Sequence, residues 1–283
     1  MNKSKKISIV IPTFNRAEYL KTAIDSALGQ TYFCEIVVSD HGSTDATSSV
    51  AKAYGSQIIY IRREKDYGVH FTWLDGVMNA TGEFIHFNFD DDWMAPTYIE
   101  ETAKLLHEDV GIVFTATTII DQKGHSINVE FKDFFQTGVH PGRVLEKYLL
   151  RNGTLISPGC CLLRKKDILD WLFIGEVPGS RFSYKGVGPD LLFSLGPLLK
   201  YEKFGFVNQP LAFFRAHPNS ITIDSRGDST KRKQIRNAYN ESKKFYLVLK
   251  LYRFIRLQDV LFWFFNHVIL FPEKLVRKFR GRK

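Results

Sequence analysis

Residues Ile7–Leu28 read ISIVIPTFNRAEYLKTAIDSAL. Ile7 to Ile11 is a short apolar run rich in β-branched residues that ends at Pro12, the pattern of a strand covered on both faces. Leu20, Ala23, Ile24, Ala27 and Leu28 then recur at the spacing of a helix with one apolar stripe. Asn15, with Glu18 three residues on, predicts a capping box at the helix start. A strand leading at once into an amphipathic helix is the first half of a βαβ unit, in which the next strand runs parallel to the first.

The same alternation continues outward. Strands are predicted at Glu35–Ser39, Ile58–Ile61, Phe84–Phe89 and Gly111–Ala116, with helices ending near Tyr54, over Val69–Asn79 and from Pro96 to His107. This implies an α/β fold: a Rossmann-like, mostly parallel sheet flanked by helices. Beyond residue 120 the alternation weakens into loops rich in Gly, Pro and Phe. A boundary is expected near Asp224, dividing a body at 1–224, in halves 1–120 and 121–224, from a helical tail at 225–283.

Composition is that of an ordinary globular protein, 44% hydrophobic and 24% charged over 283 residues. The net charge of +9 is unevenly spread: residues 226–283 hold 16 Lys/Arg against four Asp/Glu, and the rest of the chain is slightly acidic. An acidic body argues against a nucleic-acid binder. Three cysteines without metal-ligand spacing point to a reduced cytosolic setting. The apolar run after Lys3, Lys5 and Lys6 is too short for a signal-peptide core, so the expectation is a chain that starts directly with its fold.

In open parallel sheets ligands gather outside the carboxyl ends of the strands. Three polar clusters fall at such ends: Pro12-Thr13-Phe14-Asn15-Arg16, Asp40-His41-Gly42-Ser43-Thr44-Asp45, and Asp90-Asp91-Asp92 followed by Trp93. Taken singly, Pro12, Gly42 and Ser43 are also ordinary turn residues. Three adjacent carboxylates repel and raise one another's pKa, which a divalent cation with oxygen ligands relieves. Mg2+ is commonly held by one or two carboxylates plus substrate phosphates, so the run suggests a metal and a phosphorylated ligand together. The alternative is a solvated acidic turn at the start of the next helix.

Together, ISIVIPTFNRAEYLKTAIDSALGQT at 7–31, EIVVSDHGSTDAT at 35–47 and ATGEFIHFNFDDDW at 80–93 resemble the nucleotide-binding half of the family 2 glycosyltransferases, which have the GT-A fold. The resemblance is strong over residues 7–120 and weaker through Thr222. It implies an inverting transfer of a sugar from a nucleoside diphosphate sugar, assisted by Mg2+ or Mn2+. Thr13 and Asp40 then match positions that contact the nucleotide base, and a carboxylate facing an imide N–H suits uracil. Pro12, Asn15 and Arg16 border the same site. The family's second aspartate is His41 here, and its frequent Arg-Asn pair is missing from Lys65–Gly76. Members often read Asp-x-Asp-Asp-Trp; Phe89 takes the first acidic place, which makes Asp91 the leading metal ligand. Asp92 and Asp90 would supply a second ligand, a water contact or a donor-sugar contact.

The family's general base lies just before a late apolar helix, and Gly188-Pro189-Asp190-Leu191-Leu192-Phe193 matches that place with Asp190 as the candidate. Pro189 replaces the usual Glu, and a helix N-cap is the plain alternative. Phe214–Thr222 resembles a segment that closes over the donor pyrophosphate. It offers Arg215 for a phosphate and His217 for a phosphate or the metal. Gly153–Arg164 is expected to border the acceptor site.

From Phe245 to Phe271 aromatic residues alternate with Lys250, Arg253 and Arg256, and the chain closes on Arg277, Lys278, Arg280, Arg282 and Lys283. Val260–Phe271 is too short to span a bilayer and contains Asn266 and His267. Residues 245–283 are expected to lie on an anionic membrane surface, or else to pack on the body or a second copy as a homo-oligomer. The overall expectation is a cytoplasmic, peripherally membrane-bound hexosyltransferase acting on a glycan or lipid-linked glycan acceptor. Its rivals are a sugar nucleotidyltransferase, which usually carries a Gly-rich basic loop after its first strand, and a degenerate nucleotide-binding scaffold.

Overall fold

A computed structural model describes residues 5–151, 156–182, 187–217 and 229–254. Its first half follows the predicted alternation: β1 (Ile7–Thr13), α1 (Ala17–Leu28), β2 (Glu35–His41), α2 (Thr47–Lys52), β3 (Ile59–Arg63), α3 (Val69–Asn79), β4 (Phe84–Phe87), β5 (Trp93–Met94) and α4 (Tyr98–Lys104). The second half contributes β6 (Val110–Ile120), β7 (Ser126–Glu130), β8 (Gly138–Pro141), α5 (Gly142–Leu150), β9 (Cys161–Arg164), α6 (Lys165–Trp171), α7 (Pro189–Leu195), β10 (Lys203–Arg215) and α8 (Ser229–Phe254).

The strands form one sheet in the order β3-β2-β1-β4-β9-β6-β10-β5, with β7 added to β6 and β8 to β10. Strands β3, β2, β1 and β4 are mutually parallel, as is the β6/β10 pair. Between these blocks β9 runs antiparallel to both β4 and β6. Every residue of β1 and β6 is buried, which is why both are mostly apolar with small Ser and Thr side chains and carry no charged residue.

Two local expectations change. The capping box is absent, because Asn15 turns away with φ 53° and its carboxamide accepts from the Thr44 backbone N–H at 2.8 Å. The first turn of α1 is served from another loop instead, with Ala17 N–H donating to Asp45 Oδ2 at 3.2 Å. The strand expected to reach Phe89 stops at Phe87. Asn88 still donates to Val10 O, and the chain then turns, with Asp92 N–H bonding Phe89 O at 3.0 Å.

The chain divides into compact units between Ser242 and Lys243, inside α8. The boundary expected at Asp224 lies outside the described residues, as does the tail beyond Phe254.

Helix α3 lies close on the sheet at Gly76, where a Cβ would stand 2.4 Å from Val10 Cγ1. Overpacking of this kind typically costs about 1–3 kcal/mol. Gly76→Ala is therefore expected to lower stability by that amount in urea unfolding; an unchanged midpoint would show that α3 can move off β1 freely.

Candidate active site

Backbone bonds around Phe14–Arg16 draw the three strand-end clusters together. Asn15 N–H donates to Ser43 Oγ at 2.9 Å and Arg16 N–H to Thr47 Oγ1 at 3.0 Å, tying the loop after β1 to the loop after β2. Phe14 N–H donates to Asp90 Oδ2 at 3.3 Å, tying it to the acidic run after β4. Pro12 and Thr13 are buried in β1 beneath this junction, while Phe14 and Asn15 are exposed and Arg16 is half-buried. Thr13 Oγ1 is buried beside the Asp90 carboxylate, whose charged form it favours.

Asp40 is fully buried, and both carboxylate oxygens are occupied. Oδ1 accepts from Ser43 N–H at 2.9 Å, and Oδ2 accepts from the Tyr60 hydroxyl at 2.6 Å with Arg62 Nε 3.6 Å away. Arg62 also donates to Ser43 O. Asp40 thus shapes the loop after β2. Gly42 makes this loop possible: its φ is 79°, and a Cβ there would lie 2.6 Å from the Lys65 Cα.

His41 is buried too, with its ring against Tyr67 and Phe71. Burial lowers its pKa despite Asp75, whose Oδ2 is 3.5 Å from Nε2. Asp75 is claimed by Arg63, which forks onto both oxygens at 2.5 and 2.8 Å and holds the carboxyl below its ordinary range. The Arg63–Asp75 pair therefore joins β3 to α3 beside the site.

The aspartates divide their partners. Asp90 faces Phe14, and Asp92 Oδ1 accepts from Arg215 N–H at 3.0 Å. Burial, followed by the neighbouring Asp91, pushes both carboxyls up. Asp91 Oδ2 lies 2.7 Å from His217 Nε2, a ring that is itself buried. The Arg215 guanidinium is sandwiched between Tyr19 and Trp93, 5.0 and 4.8 Å from their ring centroids, and its Nε donates to Asp91 O at 3.2 Å. Tyr19 also stacks on His217. The end of β10 and the first turn of α1 thus fix the acidic run from two sides.

Among the described residues no three His, Cys, Asp or Glu side chains form a metal-holding group. At the acidic run Asp91 and His217 are close enough to share a cation, and a hard divalent ion with two protein ligands takes its other ligands from water and phosphate. The donor set fits such an ion; Asp92, expected as a second ligand, a water contact or a donor-sugar contact, has its Oδ1 bonded to the Arg215 backbone N–H.

Asp190 lies half-buried in the first turn of α7. Its Oδ1 accepts from Gly188 N–H at 2.9 Å, and burial raises its pKa. Phe193 on the same helix stacks on Phe87 and meets Trp73, and Phe89 joins that block against Trp73 and Phe87. Phe89, in the place of an acidic residue, is thus part of the aromatic wedge carrying both α7 and the aspartates. Close by, Gly159 leaves room for it, since a Cβ there would lie 3.1 Å from Phe89 and Phe214.

With this geometry the comparisons with known proteins agree. The model of "Glycosyl transferase family 2" matches residues 8–173. The chain belongs to that family. A curated relative, an uncharacterized glycosyltransferase of Rickettsia typhi, is 40% identical over 129 residues, which are 44% of this chain and 40% of the relative. Glycosyltransferase GlyA of Streptococcus pneumoniae is 35% identical over 36% of this chain and 15% of its own length. The chain thus matches well under half the length of these relatives. Among solved structures, S. aureus TarS 1–349 in complex with UDP superposes with TM-score 0.59 at 17% identity, covering 91% of this chain and 78% of that one. A mannosyltransferase of Pyrobaculum calidifontis, solved with GDP-Man and Mn2+, gives 0.55 at 14% identity, covering 95% and 81%. At such identities the likeness shows the fold, that of GT-A family members.

Tyr19, Tyr60 and Arg62 were not among the expected site residues. A signal existed for the last two: IYIRR at 59–63 alternates, and in a parallel partner of β2 its polar members face Val38 and Asp40. Tyr60→Phe strips one donor from a fully buried carboxylate. It is expected to lower stability by about 1.5–3 kcal/mol, read as a lower urea midpoint; an unchanged midpoint would mean that Arg62 and Ser43 suffice.

Proposed function

We propose that this family member is an inverting glycosyltransferase that moves a sugar from a nucleoside diphosphate sugar, UDP-linked by expectation, to a glycan or lipid-linked glycan acceptor. The observation that carries it is the convergence on Asp90–Asp92 of the loops after β1 and β2 with Arg215 and His217 from β10. There, at one end of a parallel sheet, anionic side chains, cationic side chains and backbone groups meet, as a nucleotide and its diphosphate require.

Thr13, Asn15, Arg16 and the loop shaped by Asp40 would border the base and ribose. Arg215, held flat between Tyr19 and Trp93, presents a guanidinium to the diphosphate. Asp91 and His217 would hold Mg2+ or Mn2+, which when bound neutralises charge on the leaving diphosphate. Asp190 accepts the acceptor hydroxyl proton as that oxygen bonds the anomeric carbon and the bond to diphosphate breaks, its electron pair leaving with the phosphate. Burial raises the basicity of this carboxylate, which suits proton abstraction near neutral pH.

The body reading, 1–224 in two halves, and the cytoplasmic, peripheral location belong to the same proposal. Among the described residues no helix is long and apolar enough to cross a membrane. On α8, Leu247, Val248, Leu251 and Tyr252 are exposed in a basic stretch, which supports docking on an anionic leaflet.

Calorimetry with UDP, GDP, CDP and ADP, each with Mn2+ and again with EDTA, tests the site. One diphosphate is expected to bind with metal only, and Asp91→Ala should weaken it at least tenfold; no binding of any of them overturns the reading. Leu247→Glu with Leu251→Glu should reduce flotation on phosphatidylglycerol vesicles, and equal flotation would assign those side chains to a protein contact.

A further inference from the structure

The carboxylate of Asp190 is approached from a helix that lies beyond the region matched by the family model. Tyr239, in the third turn of α8, donates its hydroxyl to Asp190 Oδ2 at 3.0 Å, while Gly188 N–H occupies Oδ1. Tyr239 is thus the side-chain donor to Asp190, beside backbone N–H groups of Gly188 and Leu191, and Oδ2 keeps a lone pair for a substrate proton. The approach is close. Gly188 has φ 118°, and a Cβ there would come within 3.1 Å of both Ala238 O and Ser242 Oγ. Two residues beyond Tyr239, Glu241 Oε2 accepts from Arg181 N–H at 3.2 Å. Helix α8 thus clamps the segment that leads into α7 at two points, one of them the side chain of the candidate base.

We infer that Tyr239 is the positioning residue of Asp190, making the start of the C-terminal helix a working part of the transferase centre. The inference rests on the reading of Asp190 as the base. Without the phenol, one carboxylate oxygen would lose its fixed donor, and the side chain would be free to rotate out of line with the acceptor hydroxyl. The bond also favours the charged carboxylate, against the burial that pushes its pKa up. The groups that face Asp190 are Tyr239 from α8, His70 from α3 and the backbone N–H groups of Gly188 and Leu191. His70 opposes burial in the same direction, so Tyr239 is not the sole influence, but its hydroxyl is the group that holds the orientation.

The test uses the full chain labelled with 13C at aspartate Cγ. The resonance missing from Asp190→Asn identifies Asp190, and its titration midpoint is then followed in wild type and Tyr239→Phe. The expected result is an upward shift of roughly one pH unit in Tyr239→Phe. In parallel, UDP release from UDP-GlcNAc with water as acceptor should show the acid limb of kcat moving up by the same amount at constant donor KM. An unmoved midpoint overturns the inference, as does a change confined to KM. Should Tyr239→Phe not fold, 3-fluorotyrosine incorporation makes the phenol a stronger donor and is expected to move the Asp190 midpoint down; an unmoved midpoint overturns the inference. Full donor turnover in Asp190→Asn would sink the base reading separately, leaving the measured contact intact.

Discussion

The turn at Phe14–Arg16 is the constraint on which the rest of the site depends. Three successive backbone N–H groups leave the end of β1 with no strand partner, and each finds an oxygen on a different neighbour: Asp90, Ser43 and Thr47. A left-handed Asn15 fans the donors outward, and its own carboxamide returns to the Thr44 backbone. Buried backbone donors have to be paired. Satisfying these three pulls the loops after β2 and β4 to the same point, and a ligand crevice follows from that pairing.

Once the loops converge, electrostatics determines the roles of the carboxylates. Asp40 and Asp75 are neutralised internally, by Tyr60 with Arg62 and by Arg63, and work as braces. Asp90 and Asp92 accept from backbone N–H groups, and burial, followed by the neighbouring Asp91, raises both carboxyls. Of the three adjacent aspartates it is Asp91 that faces His217, and that pair has the chemistry of a cation site completed by phosphate. The same residue type thus serves three purposes within one sheet end, according to its neighbours. Phe89 shows the converse: where an acidic residue would be expected, an aromatic ring extends the block of Trp73, Phe87 and Phe193 that seats α7.

By itself the sequence determined the parallel half of the fold, because burial on both faces writes β1, β2 and β4 as apolar runs and places polar clusters where each run ends. Local chemistry of this kind is legible from spacing alone and brought the three strand-end clusters into view, while the resemblance to family 2 glycosyltransferases singled out Thr13, Asp40 and Asp190. Tertiary structure decided what those residues touch. The antiparallel β9 between β4 and β6, the sandwich of Arg215 between Tyr19 and Trp93, and the hydroxyl of Tyr239 on Asp190 all join segments far apart in the chain. No periodicity records such contacts, since they arise from the geometry of packed elements rather than from the preferences of any one of them.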